Sequence, residues 1–303
     1  MTLTQLRYVI TIAEERSMNE AAKKLFIAQP SLSVAIKEIE EEIGITIFKR
    51  SNKGVLVTPQ GEEFIGYARQ VVEQYELLET KYINKTDVKK KFAVSTQHYT
   101  FAVKAFVEMV KQFGMENYEF AIRETKTFEV IEDVKNFKSE IGILYINDFN
   151  SKILRKLFSE YGLEFHPLLD CYIYVYMWKG HPLAGKDEIS LEELEEYPCL
   201  SFEQGINNSF YFAEEVLSTY NYKQLIKAND RATLLNLMVG LNGYTLCSGI
   251  ICEELNGSDY CAVKLKSDET MTIGYLKRKG VAMSTLGNEY IAELAKYKDK
   301  ALR

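Results

Sequence analysis

The chain has 303 residues, 47% of them apolar and 26% charged, with a formal net charge of −6. At roughly 100–200 residues per domain this is enough for two or three soluble folding units. It excludes a membrane-spanning chain, because no stretch approaches roughly 18 uncharged apolar residues, and the acidic balance argues weakly against a nucleic-acid partner.

Leu3, Leu6, Val9, Ile10 and Ala13 recur at helical spacing and predict an amphipathic helix over 3–15. Ser17 and Glu20 have the spacing of a capping box and open a short helix over 19–25. Phe26-Ile27-Ala28 makes the turn. Pro30 has no N–H to waste, so it suits the first turn of a third helix. That helix has Leu32, Ala35, Ile36 and Ile39 on its apolar side and ends near Gly44. Strands over 45–49 and 55–58 flank a polar tip, 50–54. Three helices and a β-hairpin make a winged helix-turn-helix.

Thr58-Pro59 caps a further helix. Phe64, Ala68, Val71, Tyr75, Leu78 and Tyr82 follow one another by alternating steps of four and three. This is the a/d seam of a helix that pairs with a copy of itself; packing on its own domain is the alternative. Over 58–85 such a helix extends about 40 Å.

Residues 84–91 are polar and Lys-rich, which suits a linker. Strands over 92–95, 118–124 and 141–146 then alternate with helices over 99–113 and 128–137. Apolar runs at 172–178, 199–202, 225–228, 244–247 and 271–276 follow, with helices over 209–220, 232–241 and 285–296. This rhythm predicts a mostly parallel sheet, or two, covered by helices. In open α/β sheets ligands sit at the C-terminal ends of strands, beside helix N-termini that favour anions. Those ends are Ser95-Thr96-Gln97-His98, Thr125-Lys126-Thr127, Tyr145 with Phe149, Ser201-Phe202 and Asn229-Asp230. Their hydroxyl and amide donors could hold a carboxylate or similar oxyanion, with charge from Lys126 or His98; helix capping is the alternative use of the hydroxyls.

The five cysteines form no CxxC pair, and with only three histidines a zinc site is not expected. No metal or cofactor is expected. Nucleophile elbow, Walker loop, HExxH and Gly-rich dinucleotide motifs are all missing, so the chain does not read as an enzyme. The N-terminus has no basic run followed by an apolar block. No secretory signal is read, a cytoplasmic location is expected, and a periplasmic solute binder is disfavoured. Charge is unevenly spread: residues 1–60 carry eight Lys/Arg against seven acids, while the remainder carries the negative balance. Lys49, Arg50 and Lys53 make a local basic spot, sufficient for phosphate without a basic domain.

Residues 3–61 resemble the DNA-binding domain of LysR-type transcriptional regulators nearly end to end. The matching stretches include Leu6-Arg7-Tyr8, Ala21-Ala22-Lys23-Lys24-Leu25, Ala28-Gln29-Pro30-Ser31-Leu32-Ser33, Gly44-Ile45-Thr46-Ile47-Phe48 and Leu56-Val57-Thr58-Pro59-Gln60-Gly61. His181-Pro182-Leu183-Ala184 and Ala232-Thr233-Leu234-Leu235-Asn236-Leu237 resemble the family's effector domain more loosely. The resemblance implies an α/β chain with an N-terminal winged helix-turn-helix, a long linker helix and a C-terminal two-subdomain α/β domain like a periplasmic binding protein. The expected domains are 1–58 for DNA, 59–88 for dimerisation and 89–303 for the effector. Within the last, subdomain I spans about 89–162 plus 268–303 and subdomain II about 163–267.

A recognition helix offers its N-terminal residues to base edges. Here these are Gln29, Ser31, Leu32 and Ser33, with Val34 and Lys37 one turn on; Gln29 can pair with adenine and Pro30 can pack on a thymine methyl. Many relatives are basic where this chain has Val34, which leaves the operator sequence open. Arg50 and Lys53 should reach backbone or minor groove, with Thr58 and Gln60 as further phosphate candidates. The effector cleft is placed among Ser95, Thr96, Gln97, His98, Thr125, Lys126, Thr127, Tyr145, Phe149, Ser201 and Phe202, between the subdomains. The implied partners are double-stranded promoter DNA, a small-molecule effector for which an anion is one option, further copies of the chain as homodimer or homotetramer, and optionally RNA polymerase; no membrane is expected. A redox sensor of the same fold is the alternative: Cys199 lies in a suitable region, but no cysteine follows about ten residues later.

Overall fold

The computed structural model describes residues 1–51, 54–79, 82, 89–113 and 117–298, excepting the side chains of Arg50, Ser51 and Leu77. It divides into two units, Met1–Lys89 and Lys90–Arg303.

In the first unit a reciprocal cap starts helix α1 (Leu3–Glu15): the Thr2 hydroxyl accepts the Gln5 N–H and the Gln5 side chain accepts the Thr2 N–H. Ser17 caps α2 (Met18–Lys24), but the Glu20 carboxylate turns to Lys23 at 2.8 Å, so only half of the expected capping box forms. Pro30 sits in the first turn of α3 (Gln29–Ile43). The wing is an antiparallel pair, β1 (Phe48–Ser51) and β2 (Gly54–Val57), with Phe48 opposite Val57. The first strand starts later than expected because Glu40 accepts the Ile47 and Phe48 N–H groups and ties that stretch to α3.

Helix α4 (Pro59–Leu78) opens on the Thr58 hydroxyl, which accepts the Gly61 N–H at 2.9 Å. Its Ile65, Ala68 and Val72 are buried with Leu6, Val9, Ile12, Leu32, Ile36, Ile39 and Ile47 in one core. The expected seam is therefore divided. Ala68 belongs to its own domain, Phe64 packs at the core's edge, and Tyr75 is half-buried. Val71, Leu78 and Tyr82 are exposed.

The second unit runs β3 (Lys90–Thr96), α5 (Thr100–Lys111), β4 (Tyr118–Glu124), α6 (Thr127–Lys135), β5 (Ile141–Ile146), α7 (Ser151–Glu160) and β6 (Leu163–Tyr172). It continues with β7 (Tyr174–Trp178), β8 (Glu188–Ile189), β9 (Cys199–Phe202), β10 (Leu225–Ala228) and α8 (Arg231–Leu241). It closes with β11 (Thr245–Cys247), α9 (Glu253–Asn256), β12 (Tyr260–Leu265), β13 (Thr270–Arg278) and α10 (Thr285–Ala295).

One sheet has the order β4-β3-β5-β13-β6, parallel through β4, β3 and β5 and antiparallel where β13 meets β5 and β6. The second sheet, β11-β7-β12-β8, is antiparallel except at β12–β8, and β9 and β10 form a separate parallel pair. Within the first sheet the expectation of mostly parallel pairing holds only for the βαβα opening, since β13 returns from the far end of the chain. Strand β6, placed above in subdomain II, pairs with β13 in the first sheet, which moves that crossing to about residue 173. The helix expected over 209–220 is a single 3₁₀ turn, Phe210–Phe212, in an irregular segment. Helix α7 and strands β6 and β12 were not anticipated.

A side chain at Gly61 would bring its Cβ to 2.3 Å from the Ile47 carbonyl oxygen, so the start of α4 needs glycine to lie against the strand. Gly61→Ala should therefore destabilise the first unit by about 1–3 kcal/mol. In the full-length protein this reads as faster amide exchange in α1 and α3; unchanged exchange would contradict the close approach.

Candidate functional site

Two surfaces carry chemistry. On the first unit, α3 has Leu32, Ile36 and Ile39 buried, leaving Pro30, Ser31, Val34 and Lys37 exposed on the opposite face. Leu32 is fully in the core and cannot reach a base. Gln29 and Ser33 are half-buried, and the Gln29 amide donates to the Ser33 hydroxyl at 2.7 Å, one helical turn on. Lys37 pairs with Glu41, while Lys23 and Lys24 pair with Glu20 and with Glu14 and Glu15. Thr58 is buried; its hydroxyl donates to the Thr46 carbonyl while capping α4, so it is a cap rather than a phosphate ligand. Lys53 lies outside the described residues, as does the side chain of Arg50. Phe26, at the turn with φ 55°, is 95% exposed, which nothing in the sequence pattern signalled.

On the second unit, most of the expected donors are committed to protein partners. Ser95 donates to Asp133 at 2.5 Å and lies 2.8 Å from the Ser139 hydroxyl, joining β3 to α6 and its exit. The Thr96 hydroxyl bonds the Gln97 carbonyl, and Thr125 bonds Glu129. Gln97 is fully buried: its Oε1 accepts the Tyr145 N–H and the Tyr99 hydroxyl, and its Nε2 donates to the Thr127 hydroxyl at 2.5 Å. The Thr127 N–H donates to Gln204 Oε1 at 3.0 Å, and Gln204 Nε2 donates to Glu214 at 3.0 Å. Glu214 accepts the His98 N–H at 3.0 Å and lies 2.8 Å from His98 Nδ1. The chain of bonds thus runs from Gln97 back to the adjacent residue.

Gln204 and Glu214 lie on the irregular segment 203–222, which acts as a strap across the strand ends of the first sheet. The Tyr145 hydroxyl donates to the Glu215 carbonyl. Tyr211 stacks on Phe149 and Phe212 meets Phe128 edge-on. Gly205 has φ 63°, and a side chain there would meet the Lys126 ammonium at 3.0 Å. Phe202 stacks flat on His98 with ring centroids 3.7 Å apart.

Behind His98 and Phe202 lies a cavity of about 90 Å³. Of the eleven expected effector residues, only these two line it. The other lining residues include Tyr99, Thr100, Glu214, Glu215, Arg231, Thr245 and Asn256, with apolar walls from Leu234, Leu246 and Met271 among others. Arg231 is held by Glu124 and donates to the Thr100 hydroxyl at 2.6 Å. The Glu215 carboxyl accepts the Phe202 N–H at 2.9 Å. Burial, and then the charge of Glu214, push it up to about 8, against which the Phe202 amide and Lys227 act only in part. Burial also raises the thiols of Cys171, Cys199 and Cys247 to about 12. Among the described residues no disulfide joins the five cysteines, and no group of His, Cys, Asp and Glu could hold a metal.

Residues 3–62 match the model of the bacterial regulatory helix-turn-helix protein, lysR family, and residues 99–297 match the LysR substrate binding domain. Among curated proteins, the chain is 28% identical to the HTH-type transcriptional regulator CysL of Bacillus subtilis, covering 71% of this chain and 69% of that one. It is 24% identical to the uncharacterized regulator YbhD of Escherichia coli, covering 96% and 90%. Among solved structures, a full-length OxyR variant from Pseudomonas aeruginosa has TM-score 0.63 at 20% identity over 97% and 98% of the chains. Full-length CbnR complexed with its target DNA has TM-score 0.55 at 15% identity over 98% and 99%.

Glu215 gives the site a pH signature. Between its ordinary value of 4.5 and about 8 the folded protein holds a proton that the unfolded chain has lost. Stability contributed by this group is complete below 4.5, falls as pH rises through that window and levels off above it. The melting temperature should fall from pH 5 to pH 8 and do so less in Glu215→Gln; parallel profiles for the two proteins would contradict the assignment.

Proposed function

This chain belongs to the LysR family of bacterial transcriptional regulators, and from that premise we propose that it reads a promoter through the leading end of α3 and is controlled by a small molecule in the cleft under the 203–222 strap. The family is one of DNA-binding regulators with an effector-binding domain, not of enzymes. Among the described residues no helix is long and apolar enough to cross a membrane, and we place its action in the cytoplasm.

The observation that carries the DNA reading is the division of α3 into a buried face and an exposed leading end of Pro30, Ser31, Val34 and Lys37. A helix so presented fits the major groove. Gln29 must exchange its bond to Ser33 for one to a base, which a bidentate adenine contact can offset. Ser31 and Ser33 are the further polar base or phosphate contacts. Lys37 with Arg50 and Lys53 would contact phosphates, which set register and affinity rather than sequence. Val71, Leu78 and Tyr82 would supply the apolar seam between two copies, as a homodimer or within a homotetramer.

For the effector, Ser95, Thr96, Gln97 and Thr127 position the loops rather than meet the ligand, since their side chains are spent within the protein. The contacts are assigned instead to His98, Phe202 and the cavity behind them. A ligand that binds one setting of the strap better than another shifts the balance between them, and DNA affinity then changes by linkage. Thiol sensing has less support, because buried thiols raised to about 12 are poor nucleophiles.

Gln29→Ala should weaken binding to an operator selected from genomic DNA by about 1–3 kcal/mol and leave non-specific DNA binding unchanged. Fluorescence anisotropy of both DNAs at one salt concentration measures this. Equal loss on both would make Gln29 a phosphate contact, and no loss on either would remove α3 as the reader.

A further inference from the structure

The cavity behind His98 has the wrong complement of charges for an anion. Its guanidinium is already used, since Arg231 is held by Glu124 and Thr100, and the His98 ring faces Glu214. The backbone N–H that precedes α5 meets an internal carboxylate too, because Glu214 accepts the His98 N–H. Against this stand two buried carboxyls on the cavity wall, Glu214 and Glu215. Glu214 takes donors from His98 and Gln204. Glu215 takes the Phe202 N–H, and among the described residues it is in no ion pair.

A second group lining the cavity is also unfulfilled. Thr245, on β11, is 7% exposed and lines the cavity, and among the described residues its hydroxyl has no hydrogen-bond partner. A buried hydroxyl left so costs about 1–3 kcal/mol, so it marks a place where a partner belongs. Leu234, Leu246 and Met271 supply an apolar part of the lining.

We propose that this cavity takes a small organic cation, an ammonium on a short apolar body, bound between the Glu215 carboxylate and the Thr245 hydroxyl. The ammonium donates to both oxygens, and the apolar body covers the leucine and methionine wall. The burial that keeps Glu215 protonated in the empty protein is offset by the ligand's charge, so binding releases a proton near neutral pH. The proposal rests on the cleft being the effector site and adds the ligand's chemical class.

The test uses the full-length protein with two isosteric probes, n-butylammonium and butyrate, titrated at constant ionic strength while the melting temperature is followed. Butylammonium should raise the melting temperature saturably, as ligand linkage requires, and butyrate should not. Glu215→Gln keeps the acceptor for the Phe202 N–H and should weaken the butylammonium response by about tenfold or more, since a charge-assisted bond is lost. Thr245→Val removes a hydroxyl that has no partner among the described residues. It should leave the empty protein as stable as before or more so, yet weaken the response to butylammonium. A saturable shift from butyrate alone would overturn the cation and leave the cleft standing. No shift from either probe would remove both, and an undiminished amine response in the two variants would place the cation elsewhere.

Discussion

The second unit depends on one buried relay of hydrogen bonds, from Gln97 through Thr127 and Gln204 to Glu214 and back to His98. It joins three separate places: the turn after β3, the start of α6 and the strap 203–222. Each member is both donor and acceptor or meets two partners, so none can leave without stranding another. A buried network of this kind is stiff when complete and costly when broken, about 1–3 kcal/mol for each polar group left unpaired. The strap is therefore held by polar bonds where its irregular backbone offers few others. Tyr211 and Phe212 add aromatic contacts from the strap to Phe149 and Phe128.

The relay also sets the chemistry available to a ligand. By placing Glu214 on the His98 N–H it uses a donor that an acidic effector would seek, and it brings alongside Glu215, which among the described residues is in no ion pair and whose charge Lys227 offsets only in part. The same bonds that close the cleft decide what charge the cavity welcomes. A ligand gains control over the strap only through contacts that differ between its settings. Glu215 is well placed for this, because its backbone carbonyl holds the Tyr145 hydroxyl while its side chain faces the cavity.

The N-terminal unit was legible because its signals are local. Caps at Ser17 and Thr58, Pro30 at a helix start and the buried positions of α3 lie within a few residues of what they determine. The seam of α4 was half legible: its spacing is real, but Ile65 and Val72, just off the seam, turn the helix onto its own core and draw Ala68 with them. The cavity was legible only in part. Of the strand-end residues expected to meet an effector, His98 and Phe202 line it, while Ser95, Thr96, Gln97 and Thr127 face inward because buried hydroxyls and amides take the nearest partners. Glu214 and Glu215 were missed since the stretch Ser209–Tyr220 has helical apolar spacing, and a strap held by long-range polar bonds leaves no periodic trace. Thr245 and Arg231 reach the cavity from strands and helices far apart in sequence, which single-sequence patterns do not join.

Hydrogen exchange of three backbone amides tests whether the relay holds the cleft most directly. The N–H groups of His98, Thr127 and Phe202 each donate to a side chain of the strap or its neighbours rather than to a strand. In the unmodified, ligand-free protein they should be as protected as the amides of β3 and β5, and Gln204→Ala should release Thr127 and His98 while β5 stays protected. Exchange at these three positions as fast as in exposed turns would contradict the account.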